Sequence, residues 1–195
     1  MKTQPETFTG VGTVFVSDVI NVEQLIEHLG PEGLIKALSR YLTYVISIVE
    51  KHAGTILKYE GDVVFAFWHP KHNNPNHAQL AFDASCEILA TLPEPVTSQR
   101  HLSYGVDIVL GTGEMAGDLS GPGKRFQVVG KSMAFVDRLS KSRTLKGSSI
   151  WMSQYSVELL SHRDGIEQTG EIRGDGLETL KVFTYHPANG VVRTR

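Results

Sequence analysis

Hydrophobic positions along this chain switch repeatedly between a two-residue and a helical period. In GTVFVSDV (residues 12–19), Val14 and Val16 alternate with Phe15 and Ser17, and the run stops at Asp18. That pattern predicts a buried strand carrying a carboxylate at its C-terminal end. From Gly30-Pro31 onward the period changes, with Leu34, Leu38, Tyr41, Val45 and Ile48 at helical spacing. Proline suits a first helical turn, so a helix is predicted from that pair to near His52 and Gly54. TILKYE and VVFAFW flank Gly61-Asp62 and read as a hairpin. The polar stretch 69–77 reads as a loop, and residues 77–91 as a second helix. LSYGVDIVL is a strand, after which Gly111, Gly113, Gly117, Gly121 and Gly123 predict a hairpin with a loose tip. RFQVV is a short strand ending at Gly130, and KSMAFVDRLSKS is a helix. GSSIWMS, a short helix near 154–161, and the strands EQTGEIRG and ETLKVFTYH complete the pattern.

Alternation of this kind predicts an α/β or α+β sandwich, with a mixed sheet and its helices on one side. Residues 1–10 are polar, with Pro5 and Gly10, and read as a flexible lead-in. No internal repeat or low-complexity tract interrupts the rest.

Composition narrows the class. The 195 residues fit one domain, and 41% hydrophobic with 21% charged residues suffices for a core. A net charge of −2 gives no overall basic field for nucleic acid. The one cysteine, Cys86, cannot form an internal disulfide, which suits a reducing compartment. The N-terminus lacks a signal-peptide run, and no stretch approaches the roughly 20 apolar residues of a membrane span. A cytoplasmic location is the expectation.

Two carboxylates stand where a carboxylate is costly: Asp18 closes an apolar strand and Asp62 sits in the turn of an apolar hairpin. A buried carboxylate must pair, take up a proton, or bind a cation. Near one another, the two would suit a hard divalent ion. Alternatively Asp18 caps a helix and Asp62 is an ordinary turn residue. His69, His72 and His77 lack a completing ligand for zinc and read as a solvated loop. GPGKR (121–125) lacks the spacing of a phosphate loop and reads as a hairpin tip. Trp68 and Trp151 read as core, and Cys86 as a buried inert thiol.

The segments FVSDV, GPEGLIKALSRYLTYVISIVEKHAGT and above all ILKYEGDVVFAFW resemble the class III nucleotidyl cyclase catalytic domain. YGVDIVLGTGEMAGDLSG and KRFQVVGKSMAFVDRLSK continue the resemblance in the same order. It implies a catalytic domain over residues 11–187, a tail over 188–195, and a ferredoxin-like βαβ-αβ core with a mixed, largely antiparallel sheet. It further implies a cyclase that makes cyclic AMP and pyrophosphate from ATP, by two-metal-assisted attack of the 3′-hydroxyl on the α-phosphate. Asp18, Asp62 and the carbonyl of Val19 match the ligands of Mg²⁺ or Mn²⁺, two ions per site. Lys58 matches the lysine that reads adenine, and an ammonium does suit the N1 acceptor. Arg138 matches the arginine that stabilises charge on the α-phosphate. Family members form head-to-tail dimers with shared sites, and this chain holds both halves, so a homodimer with two equivalent sites is implied.

Some positions depart from the family. The second base-reading residue is Gln127, whose amide both donates and accepts. The transition-state asparagine is Ala134, and loss of one such donor costs about 10²–10³ in rate. Glu23 and Glu114 put carboxylates where the family has phosphate-binding groups, and Arg173, or less favourably Lys181, stands in for the lysine of the last hairpin. These departures leave two alternatives: a cyclase with another base preference (GTP or a pyrimidine nucleotide), and a catalytically silent nucleotide-binding or regulatory domain.

Overall fold

Side chains along β1 (Thr7–Ile20) alternate between two apolar layers, Phe15 and Val19 in one, Val14 and Val16 in the other. A strand buried on both faces reads as a continuous apolar run, which is what residues 14–16 show. The computed structural model describes residues 7–69, 75–92, 105–118, 127–142, 148–174 and 178–187. After β1 come α1 (Val22–Lys51), β2 (Thr55–Glu60), β3 (Val63–Trp68), α2 (His77–Ala90), β4 (Gly105–Asp118) and β5 (Gln127–Gly130). Then follow α3 (Lys131–Ser142), β6 (Ser149–Ser153), α4 (Gln154–Glu158), β7 (Ile166–Arg173) and β8 (Thr179–Tyr185). The sheet runs β2-β3-β1-β4-β6-β8-β7, with β5 paired to β4. Its β4–β6 pair is parallel and its other pairs are antiparallel.

Helices cover both faces, not one. Tyr41 and Val45 of α1, Ile88 of α2 and Val157 of α4 pack with Phe15, Trp68 and Ile108. Phe135, Val136 and Leu139 of α3 pack with Val14, Val16 and Val109 on the opposite face. A strand whose alternate residues are all apolar has two faces to cover, and the helical stripe of α3 takes the second. Each fully buried valine or isoleucine in these layers contributes about 1.5–3 kcal/mol.

The long strands overrun the pattern in the sequence. Residues 7–10, expected in the lead-in, belong to β1, because Phe8 stacks on Phe67 and the main chain pairs with the far end of β4. The glycines at 111, 113 and 117 do not turn the chain either, since β4 continues through them to Asp118. At Gly111 a Cβ would stand 2.7 Å from the Ser132 carbonyl oxygen, so the missing side chain is what lets α3 sit against the strand. The hairpin does form, between the end of β4 and β5. Its tip, with Gly121, Gly123 and 121–125, lies outside the described residues, as do residues 1–6, His72 and 188–195.

Helix α1 begins nine residues earlier than the Gly30-Pro31 pair suggests, at Val22. Gly30 breaks it, at φ 66 and ψ 174. Pro31 disfavours a helical residue before it and lacks an N–H, so residues 22–29 and 31–51 are separate helical runs. His69 and His77 are buried rather than solvated. The His69 ring packs on Phe8 at 4.5 Å between centroids, and His77 Nδ1 lies 2.9 Å from Thr13 Oγ1. Trp68 is buried and its indole donates to the His52 carbonyl at 2.7 Å. Burial pushes the half-buried Cys86 thiol up to about 12, which keeps it unreactive.

Candidate functional site

Asp18, on β1, and Asp62, in the turn that leads into the neighbouring strand β3, lie at one end of the sheet. The β1–β3 ladder ends at Ser17–Val64, so continuing it by one step sets Asp18 beside Val63, the residue after Asp62. Gly61, at φ 61, makes the tight turn that carries Asp62 there. The β1–β4 ladder runs on to Ile20–Gly105, so β4 pairs β1 past the point where β3 turns away. Asp18 and Asp62 are both half-buried, while Val19 is buried.

Asp107, on β4, stands directly opposite Asp18. It is fully buried and its Oδ1 accepts from the Ser149 backbone N–H at 3.1 Å. The donors available are two half-buried carboxylates and main-chain carbonyls, all hard oxygens, and that set fits Mg²⁺ or Mn²⁺. Among the described residues, no group of three or more His, Cys, Asp or Glu side chains is arranged to hold a metal. The remaining positions of an ion here would fall to backbone, water or substrate oxygens. Reading the sequence missed Asp107, although an acid inside GVDIVL meets the same criterion that singled out Asp18.

Arg138 is placed elsewhere. It projects half-buried from α3 into a cavity of about 540 Å³ that Lys131, Ala134, Tyr155 and Lys181 also line. Asp18, Asp62 and Lys58 are not part of that wall. Asp18 and Asp62 on one side and Arg138 on the other thus occupy separate places in one chain, and the Arg138 cavity carries Glu114, Glu158 and Glu178 as well as Lys131, Arg138 and Lys181. Gly130 ends β5 at φ 142, where a Cβ would lie 2.2 Å from the Glu114 carbonyl oxygen, so glycine sets the angle at which α3 leaves the strand.

The other candidates fall as follows. Lys58 is exposed on β2, opposite Phe65, and its ammonium stands 4.7 Å from that ring's centroid. Gln127 is exposed on β5, opposite Asp118. Arg173 is exposed on β7, opposite Thr179; Thr179 lines the Arg138 cavity, as Lys181 does, and Arg173 does not. Glu114 is on the cavity wall, and Glu23 is exposed in the first turn of α1. No helix among the described residues is long and apolar enough to cross a membrane.

Known proteins share this architecture. Adenylate cyclase 1 of Rhizobium meliloti is 32% identical over 88 residues, covering 45% of this chain and 13% of that protein. The catalytic core of a rhodopsin-guanylyl cyclase with converted specificity superposes with a TM-score of 0.77 at 16% identity, covering 92% of this chain and 97% of that one. The adenylyl cyclase CyaB of P. aeruginosa does so with a TM-score of 0.73 at 23% identity, covering 94% and 97%. The chain spans less than a third of the length of the curated relatives it matches. Structural likeness at these identities carries the fold. The model of the adenylate and guanylate cyclase catalytic domain matches residues 3–186, and by that match the chain belongs to this family.

Proposed function

We propose that the chain is a cyclase that converts ATP to cyclic AMP and pyrophosphate at sites shared between two copies. The observation that carries this reading is the division of the site. The acidic end of β1 and the cavity of Arg138 occur in one chain, yet apart. A head-to-tail pair would complete each half with the other copy's complement, twice by symmetry. A guanylyl cyclase domain from Blastocladiella emersonii, a non-canonical dimer, is among the structural neighbours and supports association of two copies, though not their head-to-tail arrangement.

Asp18, Asp62 and the carbonyl of Val19 would hold Mg²⁺ or Mn²⁺, two ions per site. Such ions lower the pKa of the attacking hydroxyl and offset charge on the leaving pyrophosphate. From the other copy, Lys58 donates to adenine N1, and the Gln127 amide takes the exocyclic amine. Arg138 donates to the α-phosphate oxygens as charge develops there. Lys181 or Arg173 reaches the outer phosphates. The 3′-oxygen forms its bond to the α-phosphorus as the bond to the β-phosphate oxygen breaks, and the hydroxyl proton passes to water. The rhodopsin-guanylyl cyclase core was crystallised with ATPαS, and the domain from Catenaria anguillulae with GTP, which supports a nucleoside triphosphate as substrate. Such a substrate is at hand in the cytoplasm, where we place the domain.

The test is complementation. Asp62→Ala and Arg138→Ala should each lose activity on Mn²⁺-ATP. Mixed and re-paired, they should recover about a quarter of wild type, because half the dimers are mixed and each holds one intact site. Mixtures that stay inactive while pairing normally defeat the shared site. A second reading, a binding module without turnover, is favoured by Ala134 and Glu114 on the cavity wall. Calorimetric binding of ATP with no cyclic product from any nucleotide, even in Mn²⁺, selects it.

A further inference from the structure

Lys58 does not stand alone on β2. Its ammonium lies 3.9 Å from the Glu60 carboxylate. Register explains the pairing: Lys58 faces Phe65 and Glu60 faces Val63, so the two side chains share one face of the edge strand. Tyr59, opposite Val64, has the other face. Leu57, Val63 and Phe65 remain half-buried beside the pair and belong to the same apolar cluster as α3. Both charged side chains are open to solvent, 60% and 82% exposed.

An exposed ion pair of this kind contributes at most about 1 kcal/mol to stability, so folding gives little reason for it. Recognition gives more. A cationic donor and an anionic acceptor sit side by side next to an aromatic ring, and those are the groups with which proteins read the edge and face of a base. Adenine offers an acceptor at N1 beside one amine at N6. Guanine offers an acceptor at O6 beside two N–H donors, at N1 and N2.

We infer that Glu60 and Lys58 form a two-residue reader that accepts both purines, and that Glu60 is the residue that admits guanine. This rests on the cyclase reading above. Lys58 donates to N1 of adenine or to O6 of guanine. Glu60 accepts one N–H of the adenine amine, the other being left to Gln127, or two parallel N–H groups from guanine in the bidentate arrangement that charged acceptors favour. A lysine alone selects adenine; the neighbouring carboxylate adds more for guanine than for adenine and so narrows the difference.

The experiment measures kcat/KM for ATP, GTP and ITP with Mn²⁺ in wild type, Glu60→Gln and Glu60→Ala. Wild type is expected to use both purines. Glu60→Ala should lower GTP turnover about 100-fold or more, as expected for two lost bonds to a charged group at about tenfold or more each, and ATP turnover by about tenfold for the one bond lost there. ITP, which lacks the N2 amine, should lose less than GTP. Glu60 is exposed, so the variants should fold, which circular dichroism checks. Equal losses on ATP and GTP, no loss on either, or a wild type active on ATP and silent on GTP each overturn the inference. A wild type silent on every nucleotide defeats the cyclase reading instead. In that case, displacement of a fluorescent nucleotide by ATP and GTP reads the same preference, and a GTP affinity unchanged by Glu60→Ala overturns the reader.

Discussion

The Tyr41 hydroxyl donates to Ser17 Oγ at 2.8 Å, tying the middle of α1 to β1 one residue before Asp18. Both residues are buried. Tyr41→Phe keeps the ring and leaves the Ser17 hydroxyl short of its donor, at a cost of about 1–3 kcal/mol. For a chain of this size that lowers Tm by roughly 2–4 °C per kcal/mol. Thermal unfolding measures it, and an unchanged midpoint means that the bond does not anchor the strand.

Ala134 lines the same cavity as Arg138 and has nothing to donate. Ala134→Asn places an amide one helical turn before the arginine. If that donor is what the site lacks, kcat should rise by about tenfold or more with KM nearly constant, since a group acting on developing charge changes rate rather than binding. Single-turnover and steady-state rates on ATP check it. A flat kcat means the chain has compensated elsewhere in the cavity.

Gly130 joins β5 to α3 at φ 142, with the Glu114 carbonyl where a Cβ would be. Gly130→Ala is expected to destabilise by about 2–4 kcal/mol, through strain and through displacement of β4. Chemical denaturation should show a lower midpoint with an unchanged slope.

His77 predicts a pH dependence. Burial, then the nearby His69, holds its pKa below the ordinary histidine value. The folded state therefore prefers the neutral ring, which contacts Thr13 Oγ1 at 2.9 Å, while the unfolded chain takes up the proton more readily. Stability is fully present above about pH 6.5 and falls as the pH drops from there through the lowered folded value. Glu87 acts at more acid pH. His52 Nε2 at 2.8 Å and Lys51 Nζ at 2.7 Å hold its carboxyl below the usual range, and its contribution fades as the pH falls through that lowered value. Thermal midpoints between about pH 8 and pH 5 should fall more steeply in wild type than in His77→Gln. Parallel curves would remove His77 from the account.

Most of the sheet is legible because its strands are short apolar runs, continuous where both faces are buried as in VVFAFW, and because the β2–β3 turn carries glycine. Gly61-Asp62 gave the hairpin, and the ordered segments gave the family. What escaped was tertiary. Gly111 and Gly113 look like turn residues until α3 is seen lying on them. Val22, Leu25 and Leu29 stand at helical spacing and pack on the core, but Gly30-Pro31 cuts the pattern after two turns, too short a run to tell from a loop in the sequence alone. Phe8 looked like part of a polar lead-in until Phe67 was found beneath it. At the site, Asp18 and Asp62 announce themselves as acids among apolar residues. Glu60 does not, because its meaning lies in register: only pairing with β3 shows that it shares a face with Lys58.

Strand β1 carries Asp18 near its end and, seven residues earlier, Val11, which is part of the wall around Arg138. The strand is thus a girder about 23 Å long joining the two halves, stiffened along its length by β4. In a twofold pair, any swivel that pries apart one composite pocket opens its twin to the same degree. In the proposed pair, an input that turns one protomer against the other would therefore change both pockets together, and saturation by nucleotide is expected to depart from a hyperbola.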